Sequence, residues 1–289
     1  MPRLAYVDGQ IVPLSNARVS VEDRGLQFAD AAYEVVAVLN GRLLDWPGHI
    51  ARLARTLGAL VIAAPMSDAA LGLVARRLVA ANRATEALLY IQVSRGSAKR
   101  DHAFPAAARP ALVMTVRPFD FAQRVAQQAS GVTIVSATDQ RWARCDLKTT
   151  GLLANVLAKQ EARTAGAFEA WLVGGDGIVT EGASTNAWIV DAGGTVVTHP
   201  CSPRILPGVM RAAVIDEARE LQLTVAERGF TLAEARGAAE AFITSTTVPI
   251  LPVVRIDGTA VSGGAPGPVT ARLAGAIWQR IAAQTGWRP

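Results

Sequence analysis

Along the first third of the chain, short alternating apolar runs are broken by glycine turns, and two longer stretches carry the spacing of helices. Residues 4–7, the pair Asp8-Gly9 and then Ile11-Val12 predict a hairpin, because Asp-Gly readily adopts the positive backbone angles of a tight turn. Residues 35–39, Asn40-Gly41 and 42–44 predict a second one, with Tyr33 opening its first strand. The intervening stretch 22–34 is dense in polar groups and too broken to read as a strand. Asp45 can cap a helix that has Pro47 in its first turn and Ile50, Leu53, Leu57 and Leu60 on one face. Ser67 starts another helix, with Leu71, Val74 and Leu78 on its apolar side. Strands at 87–93 and 111–116 flank a basic loop, and Arg117-Pro118-Phe119-Asp120 breaks the strand pattern.

The later part continues with a strand at 132–136 and a helix from about Gly151 to Gly166, with Leu152, Leu153, Val156 and Leu157 on one face. Hairpins follow at 170–180, turning through 174–177, and at 187–198, turning through 191–194. A helix after Gly208 has Val214, Ala218 and Leu221 on its core face, and Thr231 with Glu234 forms a capping box. A strand at 241–244 and a last helix from Pro268, carrying Val269, Leu273, Ile277 and Ile281, complete the pattern. So many short strands joined by glycine turns predict a barrel-like or strongly curved sheet. The expected class is α+β, with a small N-terminal α+β domain over 1–117, a linker at 118–122 and a larger C-terminal domain over 123–289.

Composition narrows the function classes. With 51% hydrophobic and 18% charged residues in 289, the chain is no disordered segment. No apolar run approaches the roughly 18 residues of a membrane helix, and Asp8 comes too early for a signal peptide. Cys145 and Cys201 are too few for a disulfide framework, which points to a reducing cytoplasm. His49, His102 and His199 have no metal-ligand spacing. The net charge of +5 is scattered, without a basic run, so neither nucleic acid nor a membrane is expected as a partner.

The stretch 141–162, RWARCDLKTTGLLANVLAKQEA, holds Lys148 between a strand and a helix start. A lysine kept near the interior can lose its proton and attack a carbonyl, because burial disfavours the ammonium form. Spacing alone favours an ordinary solvated lysine. Some thirty residues on comes Ile178-Val-Thr-Glu181-Gly-Ala-Ser184-Thr185-Asn186. Together the lysine and this string resemble the fold-type IV family of pyridoxal-phosphate enzymes, and the resemblance runs from Tyr6 to Gly258.

That resemblance implies a Schiff base between Lys148 and pyridoxal 5'-phosphate, with Glu181 facing the pyridine nitrogen and Ser184 among the cofactor contacts. Arg52, in His49-Ile-Ala-Arg52-Leu53, matches the family's phosphate arginine, although local evidence reads it as a surface residue. Leu206-Pro207-Gly208-Val209-Met210 leads into a helix, and a glycine turn at a helix start exposes amide donors that can hold a phosphate. D-amino-acid aminotransferases of the family carry Leu-x-Gly-x-Thr here, so Met210 stands where threonine is expected. Ser245, Thr246 and Thr247 match the remaining phosphate contacts.

In the loop 94–105, Arg100 and His102 stand one residue apart, and an arginine fork matches a carboxylate with two parallel bonds. Arg-x-His here resembles the substrate-carboxylate trap of D-amino-acid aminotransferases, in which the pair comes from the neighbouring subunit and meets a tyrosine, here Tyr33. Branched-chain aminotransferases tend to have an arginine on the preceding strand, where this chain has Gln92. The implied activity is a D-amino-acid aminotransferase, moving the amino group of D-alanine to 2-oxoglutarate to give pyruvate and D-glutamate, in a homodimer. An (R)-amine or branched-chain aminotransferase, or aminodeoxychorismate lyase, remains the alternative.

Overall fold

Asp8 and Gly9 turn the chain between β1 (Leu4–Val7) and β2 (Gln10–Pro13) with φ of 43° and 102°, the left-handed backbone expected of that pair. In the computed structural model, which describes residues 3–288, this hairpin belongs to the first of two units. Unit 1 contains the chain up to Asp120 together with Leu147–Gly151 and Gln284–Trp287. After the hairpin come α1 (Arg24–Phe28), β3 (Ala31–Leu39), β4 (Arg42–Leu43), α2 (Trp46–Ala59), α3 (Asp68–Ala81), β5 (Glu86–Ser94) and β6 (Ala111–Pro118). The strands form one antiparallel sheet in the order β2-β1-β6-β5-β3-β4. Ile50, Leu53 and Leu57 of α2 and Leu71, Ala75 and Leu78 of α3 pack with Val36, Leu89 and Met114 of the sheet. Each large apolar side chain so buried contributes roughly 1.5–3 kcal/mol.

Three local expectations change. The polar stretch 22–34 contains α1 and the start of β3, which begins at Ala31 and pairs with β5 from Ala31↔Ser94 to Leu39↔Glu86. Tyr33 and Glu34 therefore lie within a nine-residue strand, paired with β5. Ser67 caps α3 through Ala70 N–H as expected, whereas the Asp45 side chain makes no cap bond and instead accepts from Gln284 Nε2 at 2.9 Å.

Unit 2 contains α4 (Phe121–Ser130), β7 (Val132–Thr138), α5 (Leu153–Thr164), β8 (Glu169–Val173), β9 (Val179–Gly182), β10 (Asn186–Val190) and β11 (Val196–Thr198). It continues with α6 (Val209–Glu220), β12 (Val225–Glu227), α7 (Leu232–Arg236), β13 (Glu240–Ser245), β14 (Val248–Ile256), β15 (Thr259–Ala260) and most of α8 (Pro268–Thr285). The sheet order is β12-β11-β10-β13-β14-β7-β8-β9, with β15 beside β14. The β11–β12, β14–β7 and β7–β8 pairs are parallel, so this sheet is mixed. The capping box at Thr231 and Glu234 is present.

The apolar face read along α5 does not meet the core. Ala158 and Ala162 turn inward against Ala170, Leu172 and Ala183, while Leu153, Val156 and Leu157 are 73%, 58% and 59% exposed. Small residues let the helix lie close to β8, and the larger ones are left outside. Between β7 and α5 the chain joins unit 1 for the five residues Leu147–Gly151. There Thr150 N–H donates to Ala31 O at 3.2 Å and Tyr33 N–H to Lys148 O at 3.0 Å, so the lysine segment adds a short pairing along β3.

Candidate active site

In unit 1, Lys148 is fixed through its own backbone. Its carbonyl accepts from Tyr33, and its N–H donates to Thr56 Oγ1 at 3.4 Å, while the Thr56 hydroxyl donates to Arg52 O at 3.0 Å. Its amine donates to Tyr33 Oη at 3.2 Å and stands 4.3 Å from the centre of that ring. Tyr33 lies against Tyr90, with centroids 5.5 Å apart, and Tyr90 Oη donates to Gln92 Oε1 at 2.7 Å. Burial, and then the neighbouring Tyr33, push the Tyr90 hydroxyl up to about 12. Lys148 and Tyr33 thus form one polar contact at the edge of an apolar sheet.

Arg52 is not on the surface. It is 8% exposed, and its Nε and Nη2 each donate to Glu34 at 2.8 Å in a two-bond fork. His49 Nδ1 stands 2.8 Å from the same carboxylate. Burial pushes the Glu34 carboxyl up, but the bonds from Arg52 and then His49 outweigh it and hold the group at about 2.

Arg100 and His102 are exposed, and both meet the Phe28 ring, at 4.9 Å and 5.4 Å between centres. Among the described residues Arg100 makes no hydrogen bond or ion pair, and neither it nor His102 contacts Tyr33.

In unit 2, Glu181 occupies β9 and is 5% exposed. Its carboxylate accepts from Arg141, from Asn186 Nδ2 at 3.0 Å and from Leu206 N–H at 3.1 Å. Arg141 also donates to Asp139 Oδ2 at 2.8 Å and to Arg204 O at 3.1 Å. Burial pulls the Arg141 guanidinium down, but the Asp139 bond and the Glu181 charge more than offset this and raise it. Asn186 ties Glu181 to the next loop, since its Nδ2 also donates to Leu206 O at 2.9 Å.

That loop leads through Gly208 into α6, which starts without any side-chain cap. The first-turn amides of Val209, Met210 and Arg211 precede the first possible intrahelical donor and point out of the helix end. A Cβ on Gly208 would stand 2.2 Å from Asn186 Oδ1, so only glycine allows this close approach. Met210 is buried, 4% exposed, and offers no hydroxyl. At the end of β13, Ser245 Oγ and Thr247 Oγ1 share a bond of 3.1 Å, while the half-buried Thr246 hydroxyl has no hydrogen bond among the described residues. Because Asn186 pairs with Thr244 across β10 and β13, this hydroxyl turn lies beside the Leu206–Gly208 loop. An uncapped helix start with adjacent hydroxyls is a donor set that fits a phosphate group. Ser184 is exposed, and its hydroxyl donates to the buried Glu169 at 2.6 Å, with Lys159 Nζ 3.2 Å from that carboxylate.

Glu34, Thr56, Phe28, Arg141 and Asn186 were not picked out from the sequence. Glu34 carried a signal, a charge within Tyr33-Glu34-Val35-Val36, but the preceding polar run disguised the strand that buries it. Arg141 is a polar residue in polar surroundings and carries no local sign, and Asn186 closes the Glu181 string without its contact to Glu181 being legible there.

Residues 31–256 match a model of the family described as Amino-transferase class IV. The D-alanine aminotransferase of Bacillus licheniformis is 39% identical over 278 residues, 96% of this chain and 97% of that one. The D-alanine aminotransferase of Listeria monocytogenes serotype 1/2a is 37% identical over 268 residues, 92% of each. Among solved structures, a branched-chain amino acid aminotransferase from Escherichia coli superposes with a TM-score of 0.89, covering 100% of this chain and 96% of that one at 24% identity. The last comparison establishes the fold, that of fold-type IV aminotransferases. Taken with the span of the family match and the similarity to both relatives, it leads to one assignment: this chain belongs to the class IV aminotransferases.

Proposed function

We propose that the chain is a pyridoxal 5'-phosphate-dependent aminotransferase for small D-amino acids, transferring the amino group of D-alanine to 2-oxoglutarate to give pyruvate and D-glutamate. The family and the relatives named D-alanine aminotransferase support this reading. The observation that carries it is Lys148, tied at its amide and its carbonyl and presenting its amine to Tyr33 Oη at 3.2 Å.

In this reading Lys148 holds the cofactor. The amides after Gly208, at Val209 and Met210, the hydroxyls of Ser245 and Thr246, and Arg52 hold its phosphate, and Leu206 and Ser184 line it. When bound, the cofactor supplies an electron-withdrawing ring that stabilises negative charge at the substrate's α carbon. Lys148 Nζ removes the α proton and later returns a proton, as base and then acid, and Tyr33 orients that amine. Glu181, held by Arg141 and Asn186, would be the carboxylate that keeps the ring nitrogen protonated. Arg100 and His102 bind the substrate carboxylate together with Tyr33, and that placement selects the enantiomer whose α hydrogen faces Lys148. Charge-assisted bonds left unmade by the other enantiomer cost about 1–3 kcal/mol each.

The chain acts as a homodimer in this reading, with Arg100 and His102 serving the neighbouring copy. Two features favour it: the missing contact of these residues with Tyr33 in their own chain, and the exposed Leu153, Val156 and Leu157 of α5. Two free cysteines favour a reducing cytoplasm. None of the helices among the described residues is long and apolar enough to cross a membrane.

The test is the half-reaction without an acceptor. Cofactor-loaded protein is mixed with D-alanine, L-alanine or (R)-1-phenylethylamine, and the visible cofactor band is followed. Loss of the band with D-alanine alone is expected, and Lys148→Ala should abolish it. Loss only with the L-enantiomer or with the amine would refute the substrate assignment.

A further inference from the structure

We propose that Arg24 is a positioning residue that sets the geometry of Arg100 and His102 for the substrate carboxylate. The proposal rests on the reading of those two residues given above. Arg24 belongs to α1 and is 3% exposed. Its Nη1 donates to Asp101 O at 2.6 Å and Ala103 O at 3.3 Å, and its Nη2 to His102 O at 3.4 Å. These are three consecutive carbonyls, beginning directly after Arg100 and containing His102. A guanidinium is planar and its donors point in fixed directions, so the carbonyls it grips set the path of the backbone. The directions of the Arg100 and His102 side chains follow from that path.

Little else holds this segment. Residues 99–104 are exposed, and within them Ala103 N–H donates to Asp101 Oδ1 at 3.1 Å. The anchor lies beneath. Arg24 Nε donates to Asp30 Oδ2 at 2.8 Å, and Arg95, where the loop leaves β5, donates to the same carboxylate at 2.7 and 3.0 Å. Arg95 is itself held by Val61 O at 2.7 Å and Leu60 O at 2.8 Å, and its guanidinium covers the Phe104 ring at 3.7 Å. One half-buried carboxylate, Asp30, therefore joins the arginine at the root of the loop to the arginine that grips its middle. Phe28 adds a common platform, meeting Arg24 at 4.8 Å on the same ring that Arg100 and His102 contact. Arg24 touches no substrate in this scheme. It acts through the loop.

The test compares Arg24→Lys, Arg24→Gln and Arg100→Met as cofactor-loaded enzymes. Two quantities are read: amide hydrogen exchange over residues 99–104, and the ratio of kcat/KM for D-alanine to that for D-alaninol, an amine without a carboxylate. Arg24→Lys keeps a charge for Asp30 but lacks the fork. It should speed exchange in 99–104 and lower the ratio about tenfold, mainly through KM, as loss of one charge-assisted bond would. Arg24→Gln should do more of both. Arg100→Met should lower the ratio with exchange unchanged. If Arg100→Met lowers the ratio and Arg24→Lys does not, Arg24 is only structural and the proposal fails alone. If Arg100→Met leaves the ratio unchanged, the carboxylate reading of the loop fails and takes the proposal with it. Exchange rising equally throughout unit 1 would also overturn the role given to Arg24.

Discussion

Arg52 grips Glu34 through two bonds, Nε to Oε1 and Nη2 to Oε2, both at 2.8 Å, with Glu34 fully buried. The carboxylate on β3 thus fixes the orientation of an arginine on α2, and it receives His49 as well. Arg52 is thus oriented by a partner inside the same unit.

Replacing Glu34 by Gln should cost about 3–5 kcal/mol, because it leaves a buried guanidinium without its counter-charge. The carboxyl is held at about 2, below its ordinary 4.5. Its contribution is therefore complete above pH 4.5 and is lost as the pH falls from 4.5 towards 2. Denaturant melts from pH 7 to pH 2 should show that decline in the parent chain and a shallower one in Glu34→Gln. Parallel declines would refute the role assigned to this carboxylate.

Arg141 lies between Asp139 and Glu181, so Arg141→Met leaves two carboxylates close together without their shared cation. Burial pushes Asp139 up, and the Arg141 bond outweighs it to hold the group low. Removing the guanidinium should raise Asp139 and weaken cofactor binding by tenfold or more, about 1.4 kcal/mol. Fluorescence titration with pyridoxal phosphate checks this, and unchanged affinity would count against Glu181 as the ring-nitrogen partner.

Gly208→Ala brings a Cβ to 2.2 Å from Asn186 Oδ1 and 3.1 Å from Arg211 Cβ. The Asn186 bridge from Glu181 to Leu206 has to shift, at a cost of about 1–3 kcal/mol. Protection of the parent chain against heat by inorganic phosphate is expected to disappear in this variant. If it survives, the start of α6 does not bind phosphate.

Leu157→Glu places a charge on the exposed face of α5, where Leu157 is 59% exposed and makes no contribution to the core. The melting temperature should barely change, whereas sedimentation should report a monomer in place of a dimer. A dimer of unaltered stability would show that this face does not join the copies.

The strands, turns and helix spacings were largely readable because they depend on neighbours in sequence. Asn40-Gly41 turns with φ of 50° and 72° whatever surrounds it. Faces and partners were not readable in that way. The apolar spacing of α5 announces a helix, yet packing selects Ala158 and Ala162 for the interior because only small side chains let it approach β8. β14 was not anticipated; it carries Pro249 and Pro252, and its pairing with β13 and β7 shifts register at two places, which absorbs what a regular strand would not.

By itself the sequence determined the chemical groups: a lysine before a helix, the Thr180-Glu181-Gly-Ala-Ser-Thr-Asn186 string, a glycine turn feeding a helix and an Arg-x-His loop. These are local strings whose residue types and order carry the family resemblance, although the spacing around Lys148 alone does not single it out. Only the tertiary structure decided what each group faces. Lys148 meets Tyr33 across 115 positions, Arg141 meets Glu181 across 40, and Arg52 meets Glu34 across 18. No periodicity of the chain encodes such pairs, because they arise where separate strands and helices are packed together and buried charges must find partners.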